Sequence, residues 1–170
     1  IRDRTKSVTD PDYILQCINH HIFTDVDMLQ HNIEAVTSHI RQKLEEAHED
    51  DIDRKVLRFV KADNGKTYYF DGEKYWRMSV FIPDSQTLDV VTPDSSYLVG
   101  LKFGEFEAML ADMTESLGET IPDFHNMEFR LKQLREAVQQ DAVGRMEKVH
   151  TLVADIEKDA EEMCCAERLY

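Results

Sequence analysis

DNGKTYYFDGEKYWRMSVFIP, residues 63–83, decides the fold. Two Asx-Gly steps, Asn64-Gly65 and Asp71-Gly72, flank short runs of aromatic and β-branched residues, and Pro83 closes the last run. Asn-Gly and Asp-Gly are hairpin signals because both residues tolerate positive φ. Strand-like runs at 55–61, 66–71 and 75–82 are therefore expected to form an antiparallel meander.

Upstream, DYILQCIN at 12–19 reads as a further strand with Ile14 as its apolar anchor. Asp25 or Asp27 is placed to cap a helix over 28–47. Its apolar positions Leu29, Ile33, Val36, Ile40 and Leu44 recur at spacings of three and four. Glu34, His39, Arg41 and Lys43 form its polar face. The acidic stretch EEAHEDDID at 45–53 reads as a solvated connection.

Downstream the pattern turns helical. Residues 96–113 carry Leu98, Leu101, Phe103, Phe106, Met109 and Leu110 on a broad apolar stripe, with Pro93 and Asp94 suited to start it. A GETIPD loop follows at 118–123. Amphipathic stretches at about 126–141 and 142–168 come next, and Gly144 leaves open whether they join. The fold class is α+β, a small mixed lobe followed by a helical segment.

Composition narrows the function classes. The chain has 170 residues, 42% of them hydrophobic and 32% charged, enough for one core or two small lobes. Its net charge of −14 argues against nucleic acid and anionic membrane surfaces as partners, since the basic residues are dispersed among 34 acids. No apolar run approaches the roughly 18–20 residues that span a bilayer. Three cysteines, Cys17, Cys164 and Cys165, suggest no disulfide framework, and a reducing cytoplasm is the expected location. Adjacent helical residues point about 100° apart, so Cys164 and Cys165 read as one buried and one exposed thiol rather than a zinc clamp. The chain has no phosphate-loop, HExxH, GxSxG or EF-hand motif.

Three segments carry a family resemblance: YILQCINHHIF at 13–23, YYFDGEKYWRMSVFI at 68–82 and TIPDFHNMEFRL at 120–131. Together they resemble the aminoglycoside phosphotransferase and choline kinase-like superfamily, and within it the N-acetylhexosamine 1-kinase branch. The resemblance implies a protein-kinase-like N-terminal lobe over 1–82, an antiparallel sheet plus one helix. A hinge and the helical part of a C-terminal lobe would occupy 83–170. It implies ATP and Mg²⁺ as cofactors and an amino sugar as substrate.

Within that resemblance, Cys17 stands where the family's strand carries an Arg that approaches the nucleotide phosphates, and a thiol cannot make that charge-assisted contact. Arg2 and Arg4 replace polar residues of a preceding strand. Glu34 is the helix acid that would orient the strand's cation, or else it lies on the exposed face. Phe81, Ile82 and Asp84 mark the hinge whose main chain would receive an adenine edge. His125 and Asn126 would bond sugar hydroxyls, with Arg130 steering an anionic group. Alternatively Asn126 caps a helix and His125 packs on Phe124.

The family's His-Gly-Asp or His-Asn-Asp catalytic loop and its metal-binding Asp would follow Tyr170, so the chain alone is expected to be inactive. His48-Glu49-Asp50 and Asp51-Ile52-Asp53 imitate those motifs but fall in the solvated connection. Under this reading the apolar faces of 96–113 and 145–168 are under-buried, and self-association through them follows. The competing expectation is a non-catalytic acidic domain that binds a protein partner through its helical face.

Overall fold

The computed structural model describes residues 11–87 and 89–165, so Arg2 and Arg4 lie outside the described residues. The fold is α+β, with a three-stranded antiparallel sheet and five helices among the described residues. Chain contacts divide it into two compact units, 1–120 and 121–170. The helix over Pro93–Leu110 falls in the unit that holds the sheet.

In the first unit, β1 (Tyr13–Ile18) and β3 (Tyr75–Val80) pair antiparallel, with Tyr13 opposite Val80 and Ile18 opposite Tyr75. The short β2 (Tyr69–Phe70) pairs with the start of β3, so the order is β1-β3-β2. Of the expected meander over 55–82, the second and third runs pair as β2 and β3, but 55–61 does not pair with 66–71. Ile52–Lys55 is a short helix, α2, and only Phe59 bridges to Ser79, on the central strand rather than on the 66–71 run.

Run 66–71 contracts to two strand residues for a physical reason. Thr67 and Tyr68 are buried and turn their polar groups toward the first helix, where the Thr67 carbonyl accepts from Gln30 instead of a strand neighbour. Both Asx-Gly steps turn the chain, though only the second joins paired strands. Asn64 accepts the Lys66 N–H beside Gly65 at φ 81°, and Asp71 accepts the N–H groups of Glu73 and Lys74 beside Gly72 at φ 104°.

Helix α1 (Val26–Glu46) starts at Asp25, whose carboxylate accepts the Met28 N–H at 2.8 Å. It packs on the sheet through a small core of Ile18, Val26 and Tyr68, with Leu29 and Tyr75 against them. Ile18, not the half-exposed Ile14, anchors β1. Helix α3 (Pro93–Leu110) begins at Thr92, which with Ser95 forms a reciprocal capping box. None of its residues is buried.

After α3 the chain is strapped to α1. Asn32 and Gly118 exchange two hydrogen bonds, of 2.7 and 3.0 Å. His39 and Lys43 both reach Asp112, and His31 reaches Glu115 at 3.0 Å. These side-chain bonds from α1 place residues 112–118 along one side of the helix.

The second unit is a helix pair. Asn126 caps α4 (Met127–Gln140), and Asp141, in the left-handed region, ends it. Its carboxylate then accepts the Arg145 and Met146 N–H groups that open α5 (Met146–Met163). Gly144, at φ 62°, keeps the two helices separate. Leu131, Ala160 and Cys164 form their core, flanked by Met127 and Ile156. Cys164 is buried and Cys165 exposed, as the helical pattern indicates.

Candidate functional site

The first unit concentrates its polar chemistry where α1 meets the sheet. Asp27, Gln30 and Glu34 sit at helical spacings of three and four, on one face. Each finds a partner on the sheet side. Tyr68 donates to Asp27 at 2.7 Å, and Lys66 bridges Asp27 and the Tyr68 hydroxyl. The Lys66 and Tyr68 hydrogen bonds hold the Asp27 carboxyl below its usual range, and Asp27 raises the Lys66 ammonium in return. Burial pushes the Tyr68 phenol up.

One turn on, Gln30 is 2% exposed and fully used. Its amide donates to the Thr67 hydroxyl at 2.9 Å, and its oxygen accepts from Arg77 Nη1 at 3.1 Å. The Thr67 hydroxyl in turn donates to Glu34, 2.5 Å away. A continuous chain therefore runs Glu34, Thr67, Gln30, Arg77, and on to Gln16, which accepts from Arg77 Nε at 3.2 Å.

Arg77 is the cation that sequence reasoning missed. It lies on the central strand, half-buried, with its guanidinium 5.5 Å over the Phe59 ring. Burial pushes the guanidinium below its ordinary value. The available signal was the strand alternation: Arg77 opposite Gln16 belongs to the face turned to α1, and Cys17 opposite Trp76 belongs to the other. The structure accordingly does not bring Cys17 and Glu34 together. Cys17 is exposed, and among the described residues its thiol makes one weak contact, with the Ile18 carbonyl at 3.9 Å.

At the expected hinge, the Phe81 N–H donates to the Asp12 carbonyl at 2.8 Å. The Ile82 carbonyl accepts from Ser85, and the Pro83 carbonyl accepts from Arg54. Asp84 sits in the left-handed region at φ 54°. The segment is a hydrogen-bonded turn.

The second unit holds the other sequence candidates. Asn126 accepts the Phe129 N–H as a helix cap, and His125 lies edge-on to Phe124 with ring centroids 4.8 Å apart. Arg130 donates to the Phe124 carbonyl and to Gln133, and its guanidinium lies over the rings of Phe124 and Phe129. All three side chains thus have local structural work.

Clefts flank the α1 seam. One of about 180 Å³ lies between α1 and residues 57–61, lined by Glu34, Ser38, Arg41, Arg58, Phe59 and Lys61 among others. A second, of about 480 Å³, is apolar, with Ile33, Val36 and Ile40 of α1 facing Phe106 and Met109 of α3. Glu34 also lines a polar cleft of about 400 Å³ beside His31, His39 and Glu115. Cys17, Phe81, Ile82 and Asp84 line none of these.

The acidic connection behaves as a surface. Lys55 pairs with Glu49 and Arg41 with Asp53, and these cations lower both carboxyls. Among the described residues, no three His, Cys, Asp or Glu side chains converge to hold a metal ion, and no helix is long and apolar enough to cross a membrane. No family model matches the chain.

Proposed function

We propose that this chain supplies the sheet-bearing, nucleotide-side part of an ATP-dependent small-molecule kinase that phosphorylates a hydroxyl of an N-acetylhexosamine-like amino sugar. The observation that carries the reading is Glu34. It sits mid-way along the one long helix packed on the sheet, and it faces the sheet, linked through Thr67 and Gln30 to a cation on the central strand. A helix acid joined to a strand cation is the arrangement that phosphate-handling lobes use to fix a positive charge. Arg77 takes the part that the sequence assigned to position 17.

Phe81, Ile82 and Asp84 follow the same strand and are the candidate hinge. The Phe81 N–H is already engaged by Asp12, so a base edge here is read by other main-chain groups. Among the described residues no three His, Cys, Asp or Glu side chains gather to hold Mg²⁺. Phosphoryl transfer also needs a carboxylate to orient the hydroxyl, and no His-Gly-Asp or His-Asn-Asp run occurs in the sequence. His125, Asn126 and Arg130 stand as sugar contacts within this proposal.

Calorimetric titration of the 170-residue chain with ATP tests it. The reading expects measurable binding, weakened by Glu34→Ala, with no sustained phosphorylation of N-acetylglucosamine. Absence of nucleotide binding overturns it. A second reading, a non-catalytic acidic domain that binds a protein partner, is favoured by α3, whose Tyr97, Leu98 and Phe103 are all more than half exposed. Tight protein binding with no nucleotide affinity selects that reading.

A further inference from the structure

We propose that the groove between α1 and α3 binds a single-chain anionic amphiphile, a fatty-acid-like carboxylate, with its alkyl tail along α1 and its head group at Arg54. The site does not depend on the nucleotide reading.

The groove is continuous and polarised. Its apolar end is the cleft of about 480 Å³ in which Ile33, Val36 and Ile40 face Phe106 and Met109. A second cleft, of about 940 Å³, continues toward the C-terminal end of α1, and Lys55, Phe106 and Met109 line both. Each volume lies within the roughly 300–1,000 Å³ of small-molecule sites. From Leu29 to Leu44 the two clefts follow α1 for roughly 22 Å. All of these residues belong to the first unit.

The narrower end suits an alkyl chain. Lys55, at the junction, is the one charged residue among its described lining. Asn32 is spent on Gly118 by two hydrogen bonds, and the Thr37 hydroxyl donates to the Ile33 carbonyl. Of the α1 stripe Leu29, Ile33, Val36, Ile40 and Leu44, only Ile40 is buried. A tail laid along the others removes apolar surface from water.

The wider end reverses the sign of the chain. The sequence has 34 acids against 20 Lys and Arg residues. The wider cleft is lined by the cations Lys43, Arg54, Lys55 and Lys102 and by the acids Glu49 and Glu105. Lys55 holds Glu49, Lys102 holds Glu105, and Lys43 is taken by Asp112. Arg54 is left over. Its Nη1 donates to the Pro83 carbonyl, a neutral partner, and no carboxylate of a described residue pairs with it. Its remaining N–H donors form a fork suited to a carboxylate.

This end-to-end polarity selects the occupant. An amphipathic helix carries its polar face along its whole length. A second copy brings a net charge of −14 against its own. A molecule with one apolar tail and one negative head matches both ends.

The test is calorimetric titration of the full chain at neutral pH with octanoate, decanoate and dodecanoate, each below its micelle-forming concentration. One molecule is expected per chain, with each added methylene tightening binding about threefold to fourfold. Dodecyltrimethylammonium, which has the same tail and the opposite head charge, is expected to bind at least about tenfold more weakly. Arg54→Gln is expected to lose several-fold at every chain length. Leu57 is 49% exposed and lines the apolar end, so Leu57→Gln is expected to flatten the chain-length dependence. Both side chains are exposed, and unchanged thermal unfolding of the variants separates lost binding from lost structure. Phe103→Gln, on α3 but outside the lining of either cleft, is expected to change nothing. Failure of dodecanoate to bind, equal affinity for the two head charges, or a loss at Phe103 equal to that at Leu57 overturns the proposal. So does a dimer in sedimentation that dodecanoate does not disperse, which assigns the groove to a second copy.

Discussion

Helices α1 and α3 lie in the same unit, run for 21 and 18 residues, and share little else. The first buries Val26, Gln30 and Ile40 and is tied to the sheet side by hydrogen bonds at Asp27, Gln30 and Glu34, in its first half. The second is capped well at its start and buries nothing. Capping and propensity are local and make a helix wherever the sequence provides them. Fixing a helix in place takes a partner with matching shape and polar groups. The α1 side has that partner, and α3 has an apolar surface facing outward along much of its length. A site that needs atoms held within fractions of an ångström therefore belongs on the α1 side.

The contrast breaks most sharply under truncation. Ile40 is 5% exposed on α1, and Phe103 is 63% exposed on α3. Ile40→Ala is expected to cost about 3 kcal/mol through lost burial and the cavity left behind. Phe103→Ala is expected to stay within about 0.5 kcal/mol. Urea unfolding of the two variants measures both. Comparable losses would mean that α3 is as firmly packed as α1.

The strap after α3 sharpens it. A Cβ on Gly118 would lie 2.5 Å from Met28 Sδ, inside contact distance. Since the Met28 side chain must move while Asn32 holds the loop by two hydrogen bonds, Gly118→Ala is expected to cost about 1–2 kcal/mol. A neutral result would place the strap on the loose, α3 side of the comparison.

The smallest expected effect is in acid, at the β2–β3 turn. Hydrogen bonds from the Lys74 N–H, the Trp76 indole and the Glu73 N–H hold the Asp71 carboxyl down to about 2. A carboxyl lowered in the folded state contributes stability that is present above its unfolded value near 3.8 and is lost as pH falls toward about 2. Trp76 is the sole tryptophan and donates to Asp71 at 2.7 Å, so its fluorescence reports the turn directly. The parent should show a fluorescence step across that window, and Asp71→Ala should show none.

Much of the fold was legible because it is written in local chemistry. Asp25 before an apolar repeat, Asp71-Gly72 between strand-like runs, and Gly144 between two amphipathic stretches each act within a few residues. The pairing of 55–61 was not legible. That run bonds to a strand twenty residues on, while Thr67 and Tyr68, which would have been its neighbours, are drawn to α1 by Gln30 and Asp27.

The site follows the same rule. Glu34 was identifiable as a helix acid from its mid-helix position. Arg77 was not, because its importance comes from which strand face meets the helix, and register shifted by one residue would exchange it with Trp76. Asn126 and His125 read either as a cap and a packed ring or as sugar contacts, and the structure shows them capping and packing; Arg130, read as steering an anionic group, bonds the Phe124 carbonyl and Gln133.

Hydrogen exchange along the whole chain, with and without ATP, tests the account most directly. Amides of α1 and β3 should be the best protected of the first unit and those of α3 poorly protected, with ATP adding protection along α1, β3 and residues 81–84. Equal protection of α1 and α3, together with no change on adding ATP, would contradict both the structural contrast and the function drawn from it.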